Sequence, residues 1–462
     1  MCRPHWPGVC FMTTALTITA LPYAPDPLAL FAKLRQRPGA VLLDSGRPKA
    51  TNGRYDILTS DPLATLEIGP SGQTTFESET LALPASLSDT TAQQQWLLEQ
   101  LPSPLQESEL PFLGGLIGYW SYDFGRNQAA IPSQHPPATQ LPLARLGLFD
   151  WCITFDHATQ TAWLVGSEER RSQVMTWLNE PAAPTAPFRL TQPFLAELSQ
   201  AEYTQRFTAV QRYIRAGDCY QINLAQRFSA RYQGDEWQAY LKLREATPTP
   251  FSGFMAWGEQ AVMSLSPERF IQSRHGLVET RPIKGTRPRG QTPEQDRALA
   301  DDLLSSTKDR AENVMIVDLL RNDLGRVCTP GSIRVPQLCQ LESYPNVHHL
   351  VSVVQGQLAP QHSPLSLLTA AFPGGSITGA PKIRAMQIID ELEPCQRSVY
   401  CGSLGYIDIR GSMDTSIAIR TMVADAGNLH VWGGGGLVAD SQAEEEYAET
   451  LDKIRHLIGA LE

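Results

Sequence analysis

The rhythm of apolar and polar positions changes near residue 190. Before it, apolar residues come in short runs of strand length separated by turn residues: Ala40-Val-Leu-Leu-Asp44, Tyr55-Asp-Ile-Leu-Thr59, Trp151-Cys-Ile-Thr-Phe155 and Thr161-Ala-Trp-Leu-Val165. Leu16, Ile18 and Ala20 alternate with threonines, which predicts a further strand. The run Pro111–Gly125 mixes glycines, which allow close backbone approach, with aromatics that bury a large area, and predicts a packed sheet crossing. Asn179–Pro187 has the Pro/Ala composition of a linker or surface crossing. Helical spacing begins after it. Ser199 and Glu202 form a capping box, Tyr203, Phe207, Val210 and Ile214 follow on one face, and Gly217 ends the helix. Tyr220–Ala225 starts a strand, and a second capping box, Thr292-Pro-Glu-Gln295, opens a helical region that runs with breaks through Asp323. Strands and helices then alternate to an amphipathic helix over Ala443–Leu461.

Composition narrows the class. A chain of 462 residues, 42% hydrophobic and 19% charged, has the make-up of a globular enzyme with a sizeable core, with a length prior of about three domains. A net charge of −10 argues against nucleic-acid binding, which needs clustered Lys and Arg. The eight cysteines include no CxxC pair, and a chain this long needs no disulfide staples, so reduced thiols in a cytoplasmic protein are expected. Val9–Ala24 is too broken by threonines, and too weakly basic upstream, for a signal peptide. Residues 1–11 read as a dispensable tail with Met12 as an alternative start, and no run approaches the ~18 apolar residues of a membrane span.

Five segments carry candidate chemistry. In Arg281-Pro-Ile-Lys-Gly-Thr-Arg-Pro-Arg289, Pro282 argues against a central strand, and Gly285 and Thr286 read as a turn able to hold a carboxylate. Lys284, between Ile283 and Gly285, is either a surface lysine in a basic turn or a desolvated nucleophile. Glu268 follows the apolar run Ala261–Leu265; it is either a general acid with a raised pKa or the ion-pair partner of Arg269 or Arg281. Lys308–Arg326 sets an apolar stripe among many charges, with Glu312 as a candidate metal ligand. After Gly433-Gly-Gly-Gly436, which closes a strand, Glu446 and Glu449 share a helix face and suit Mg²⁺, whereas Glu444 and Glu445 merely complement the helix dipole. Phe372–Arg384 looks at first like a phosphate loop. Ala380 and Pro381 separate its last glycine from Lys382, which disfavours ATP, and Pro381 fits the first position of a helix.

Together, Ser266-Pro-Glu-Arg-Phe270, the Glu312–Arg326 block, Thr378-Gly-Ala-Pro-Lys382 and Gly436–Thr450 resemble the chorismate-binding enzymes, which include anthranilate, aminodeoxychorismate, isochorismate and salicylate synthases. The resemblance covers nearly the whole chain and is strongest from Ser199 on. Where anthranilate synthases read Pro-Ile-Ala-Gly-Thr, this chain has Lys284, which resembles the aminodeoxychorismate synthases that use this lysine as a nucleophile. Isochorismate and salicylate synthases carry a lysine base where this chain has Gln221, and a neutral amide cannot activate water.

The resemblance implies an α/β (α+β) fold of two large, mostly antiparallel sheets packed face to face with helices outside. It implies an N-terminal region, 12–190, and a chorismate-binding catalytic region, 191–462, packed as one unit. The implied activity is amination of chorismate. Lys284 and Glu268 would be catalytic, and Mg²⁺ would be held by Glu312, Glu449 and Glu446. Gly285, Thr286, His349, Tyr400, Arg420, Gly434, Gly435, Gly436 and Lys382 would lie against substrate. Ser45, Asn52, Gly53, Arg54, Tyr55, Pro250, Phe251 and Ser252 would line a buried amino-acid pocket of the kind that senses tryptophan in anthranilate synthases. No glutaminase nucleophile turn occurs in the sequence, so ammonia would come from a separate glutamine amidotransferase subunit. The alternatives are anthranilate synthesis and a non-catalytic, chorismate-binding regulatory subunit.

Overall fold

The computed structural model describes residues 16–102, 107–344 and 347–462; the expected tail and the alternative start at Met12 lie outside the described residues. Two antiparallel sheets of 13 and 11 strands carry the fold. The larger sheet interleaves both halves of the sequence: Thr17–Leu21, Thr161–Gly166, Cys152–Asp156, Tyr55–Thr59 and Val41–Asp44 run on into Phe251–Trp257, Gln260–Ser266, Thr421–Asp425, Asn428–Leu437 and Gln221–Gln233. In the smaller sheet Ile283–Pro288 lies at one edge, followed by Val347–Gln357, and Gly115–Trp120 lies deep inside next to Ser403–Asp408.

The expected strands fold because their period of two gives each face its own apolar partner. In Gln260–Ser266, Val262 points into the core shared with the second sheet, while Ala261, Met263 and Leu265 face a second core under outer helices. Met255 and Phe254 divide in the same way, as do Val41 and Leu42. The outer core is closed by helices Leu28–Leu34, Glu168–Asn179, Glu236–Ala246 and Ala443–Gly459, which contribute Phe31, Trp177, Tyr240 and Leu457. Each such side chain, once buried, contributes about 1.5–3 kcal/mol. The sheets meet closely enough that a Cβ on Gly253 would lie 2.7 Å from Leu404.

Local signals translate directly. Helix Gln200–Ala216 has both halves of the Ser199–Glu202 capping box and ends at Gly217 with φ of 81°. At Pro293–Ser305 only one half forms: Thr292 accepts from the Gln295 N–H, but the Gln295 side chain accepts from Gln291 N–H. Two expectations are corrected. Gly285 and Thr286 are not a turn; they lie within the edge strand Ile283–Pro288, at a bulge that shifts the pairing with Val347–Gln357 between Lys284 and Thr286. Pro381 caps helix Lys382–Leu392 from outside and is not its first residue. Among the described residues no helix is long and apolar enough to cross a membrane.

Candidate active site

The chain leaves the larger sheet at Ser266 and enters the smaller at Arg269, so Glu268 sits in the two-residue link between them. Ser266 Oγ fixes that link: it donates to the Ile417 carbonyl at 2.6 Å and accepts from Glu268 N–H at 3.2 Å. The ion pairs that could have explained Glu268 are absent among the described residues. Arg269 is bound to Asp414 at 2.9 Å, and Arg281 reaches Glu342 and Glu279. Burial pushes the Glu268 pKa up to about 7 against the opposing pull of Lys284, the Ile283 N–H, the Ser376 hydroxyl and Lys453. A carboxyl poised there can deliver a proton near neutral pH.

Lys284 enters the same cleft from the edge strand. The bulge at Gly285 (φ 77°) requires glycine, because a Cβ would also lie 2.7 Å from Leu303 and 2.9 Å from Asp309. The ammonium donates to the Ser376 carbonyl at 3.5 Å. Its surface is partly open to the cleft, but surrounding protein strips its water and lowers its pKa, a change only partly offset by Glu312, Glu268 and Glu449.

The third wall is the glycine strand and the C-terminal helix. A Cβ on Gly433 would meet the Thr450 carbonyl at 2.0 Å, so the helix backbone rests directly on the strand. One on Gly435 would sit 2.8 Å from Glu446 Oε2, and one on Gly436 2.8 Å from Gln221 Nε2 and 3.5 Å from Lys284 Nζ. The glycines therefore make room for carboxylates and for the cleft itself. Glu446 accepts from Ser441 Oγ at 2.6 Å through Oε1, while its buried Oε2 has no partner among the described residues. Burial raises the pKa of Glu446 and of Glu312 across the cleft. Burial also pushes Glu449 upward, but Lys453 at 2.6 Å, with Lys284 and Lys308, outweighs it and leaves that pKa lowered.

The remaining residues expected at the site divide. Thr286 Oγ1 and His349 Nδ1 share a hydrogen bond at 2.9 Å, and burial beside Arg420 lowers His349 to about 4, so the ring is neutral. Arg420 sits at φ 50°, a conformation that costs a non-glycine residue about 1–2 kcal/mol. Its guanidinium forms no ion pair among the described residues and feels the charge of Glu268. A desolvated, unpaired guanidinium is suited to a bidentate carboxylate. Tyr400 is buried and stacked on Trp432, ring centroids 5.9 Å apart and 6° from parallel. Lys382 is not brought to this cluster: its Nζ donates to Asp323 at 2.6 Å and to the Ala371 carbonyl at 2.6 Å, and its charged neighbours are Asp323 and Arg326.

Of the expected amino-acid pocket, Ser45, Gly53 and Ser252 are buried together; a Cβ on Gly53 would meet the Ser45 carbonyl at 2.2 Å, and Ser252 pairs across the sheet with Asp44. Ser45 Oγ has no partner among the described residues. Pro250, Phe251 and Tyr55 flank this spot half-buried, with Arg269 over the Phe251 ring. Asn52 and Arg54 are exposed, and Arg54 is committed to Asp156 at 2.9 Å.

Two site residues escaped the sequence reading. Lys453 bridges Glu449 and the Gly434 carbonyl at 2.7 Å. Its spacing of four from Glu449 was the available signal, though the same spacing serves ordinary surface pairs. Ser376 touches both Glu268 and Lys284 and left no signal in the pattern.

Residues 40–459 match the family described as chorismate binding enzyme. Aminodeoxychorismate synthase component 1 of Salmonella typhimurium is 46% identical over 97% of this chain and 99% of its own length. Anthranilate synthase component 1 of Pseudomonas putida is 36% identical over 94% of this chain and 92% of its own. Among solved structures, anthranilate synthase component I from Streptococcus pneumoniae superposes with a TM-score of 0.78 at 32% identity, covering 89% of this chain and 93% of that one.

Proposed function

The chain belongs to the chorismate-binding enzymes, and we propose that it is the subunit that aminates chorismate, giving 4-amino-4-deoxychorismate for 4-aminobenzoate and folate synthesis in the cytoplasm. One observation carries this reading: Lys284 Nζ and Glu268 stand either side of Ser376 in one cleft, the first stripped of water and the second with its pKa near 7.

The donor set fits a hard divalent cation. Glu312, Glu446 and Glu449 offer only oxygens, and the buried Oε2 of Glu446 lacks a partner among the described residues. No three potential ligands among the described residues stand close enough to form a ready cage, so a hard cation here would be held by one or two of these carboxylates and by waters and substrate. When bound, Mg²⁺ would anchor the ring carboxylate of chorismate and draw charge from the ring.

The chain's own groups do the rest. Neutral Lys284 attacks C2; the two ring double bonds shift, and the C4 hydroxyl leaves as water with the proton of Glu268. Ammonia then attacks C4, the double bonds return, and the C2–lysine bond breaks to restore the free amine. Arg420 holds a carboxylate of the substrate, and Tyr400 and Thr286 contact its polar edge. Neutral His349 keeps Thr286 oriented. A separate glutamine amidotransferase subunit supplies the ammonia, and the pocket around Ser45, Gly53 and Ser252 binds an amino acid. Anthranilate formation is the second reading, favoured by the 36% identical relative. Incubation with chorismate, Mg²⁺ and ammonium salt, with chromatography before and after adding a lyase, separates the two. Lyase-dependent 4-aminobenzoate supports amination at C4, and direct anthranilate overturns it.

A further inference from the structure

Ser376 is the first point where the acid and the nucleophile of the cleft meet a common residue. Its hydroxyl donates to Glu268 Oε1 at 3.3 Å, and its main-chain carbonyl accepts from Lys284 Nζ at 3.5 Å. The backbone that carries it is held from three sides. Gly375 lies so close to Leu319 of helix Thr307–Gly325 that a Cβ there would come within 2.4 Å. Thr378 Oγ1 donates to the Gly374 carbonyl at 2.9 Å, closing the short helix Gly375–Ile377 on itself. Arg397, buried and paired with Glu393 at 2.6 Å, donates to the Ile377 carbonyl at 2.9 Å and to the Asn223 carbonyl at 2.6 Å. A buried ion pair thus fixes the main-chain carbonyl directly after Ser376 and ties it to strand Gln221–Gln233 through Asn223.

We propose that Ser376 is a positioning residue for this reaction, setting the reach between Glu268 and Lys284 through its side chain on one and its backbone on the other. The proposal rests on the reading of Lys284 as nucleophile, but the Glu268 half stands without it. The charged groups facing Glu268 are Lys284 on the edge strand, Lys453 on the C-terminal helix and Arg420 before Thr421–Asp425. All three favour the carboxylate, and the Ser376 hydroxyl adds to them. Losing the hydroxyl removes a donor to the ionised form, so Glu268 holds its proton to higher pH.

The test uses the full chain and two readouts. Carboxyl ¹³C NMR of substrate-free protein, with the Glu268 signal identified by its loss in Glu268→Gln, follows the titration near pH 7 directly. Chorismate turnover with Mg²⁺ and ammonium salt gives kcat and KM across the same pH range. Ser376→Ala is expected to move the Glu268 titration and the turnover limb near pH 7 upward together. Its kcat should fall roughly tenfold or more, the scale of one hydrogen bond to an ionised group, with KM changed less. Ser376→Thr, which keeps a hydroxyl, should restore the wild-type titration. A Ser376→Ala chain that loses turnover while Glu268 titrates as in wild type makes Ser376 merely structural and overturns the proposal. So does a Ser376→Thr chain whose titration has moved, which also decides the matter should Ser376→Ala fail to fold. A wild type that leaves chorismate unchanged sinks the functional reading, while the titration still tests the contact.

Discussion

Gly435 and Glu446 compete for one space: a Cβ on residue 435 would lie 2.8 Å from Glu446 Oε2, a buried oxygen with no partner among the described residues. The obstructed atom is the end of a flexible side chain, so Gly435→Ala should move the carboxylate and leave the fold intact. The thermal midpoint should stay within a few degrees, while Mg²⁺ affinity by calorimetry falls at least on the order of tenfold. Unchanged Mg²⁺ affinity would remove Glu446 from the metal site.

Glu312→Gln and Glu449→Gln each take one charged oxygen from the same site. Each should abolish turnover at millimolar Mg²⁺, because a neutral amide is a poor ligand for a hard cation. Full activity with an unaltered Mg²⁺ requirement in either variant would refute the assignment.

Glu268 carries a cost in stability that its chemistry explains. Its carboxyl stays protonated to about pH 7 in the folded chain and ionises near its ordinary value when unfolded. The folded state therefore binds more protons between those pH values, and stability falls as pH rises through that window. Glu268→Gln removes the loss. Its stability relative to wild type should rise between pH 4.5 and pH 8, by up to about 3 kcal/mol, in denaturant titrations, while turnover disappears. A constant difference across pH would mean that Glu268 is not held protonated.

Nitrogen supply gives a further check. The sequence contains no glutaminase nucleophile turn, so the purified chain should use ammonia at high pH and leave glutamine untouched. Adding a glutamine amidotransferase partner should confer glutamine-dependent turnover. Glutamine use by the chain alone would show an unrecognised activity.

What the sequence made legible was local. The Ser199–Glu202 cap, the strand at Tyr55–Thr59 and the shared face of Glu446 and Glu449 depend on spacings of two to four residues, and the structure keeps each of them. The bulge at Gly285 was hidden because it is imposed by pairing with His349 and Leu350, more than sixty residues away. Ser376 was hidden for a related reason: half of its role belongs to a backbone carbonyl, which no residue type announces. Lys382 shows the reverse case, a motif lysine whose Nζ is already taken by Asp323 and a carbonyl.

The central claim is that Lys284 forms a bond to the substrate ring, and trapping that bond tests it most directly. Wild-type protein quenched after mixing with chorismate and Mg²⁺, without ammonia, should yield a mass adduct on the peptide containing Lys284. The adduct should be absent from Lys284→Ala, which still binds chorismate but turns it over at least 10²–10⁴-fold more slowly, as expected when a positioned reacting group is lost. No adduct in the wild type, together with amination by Lys284→Ala at the wild-type rate, would contradict the covalent route.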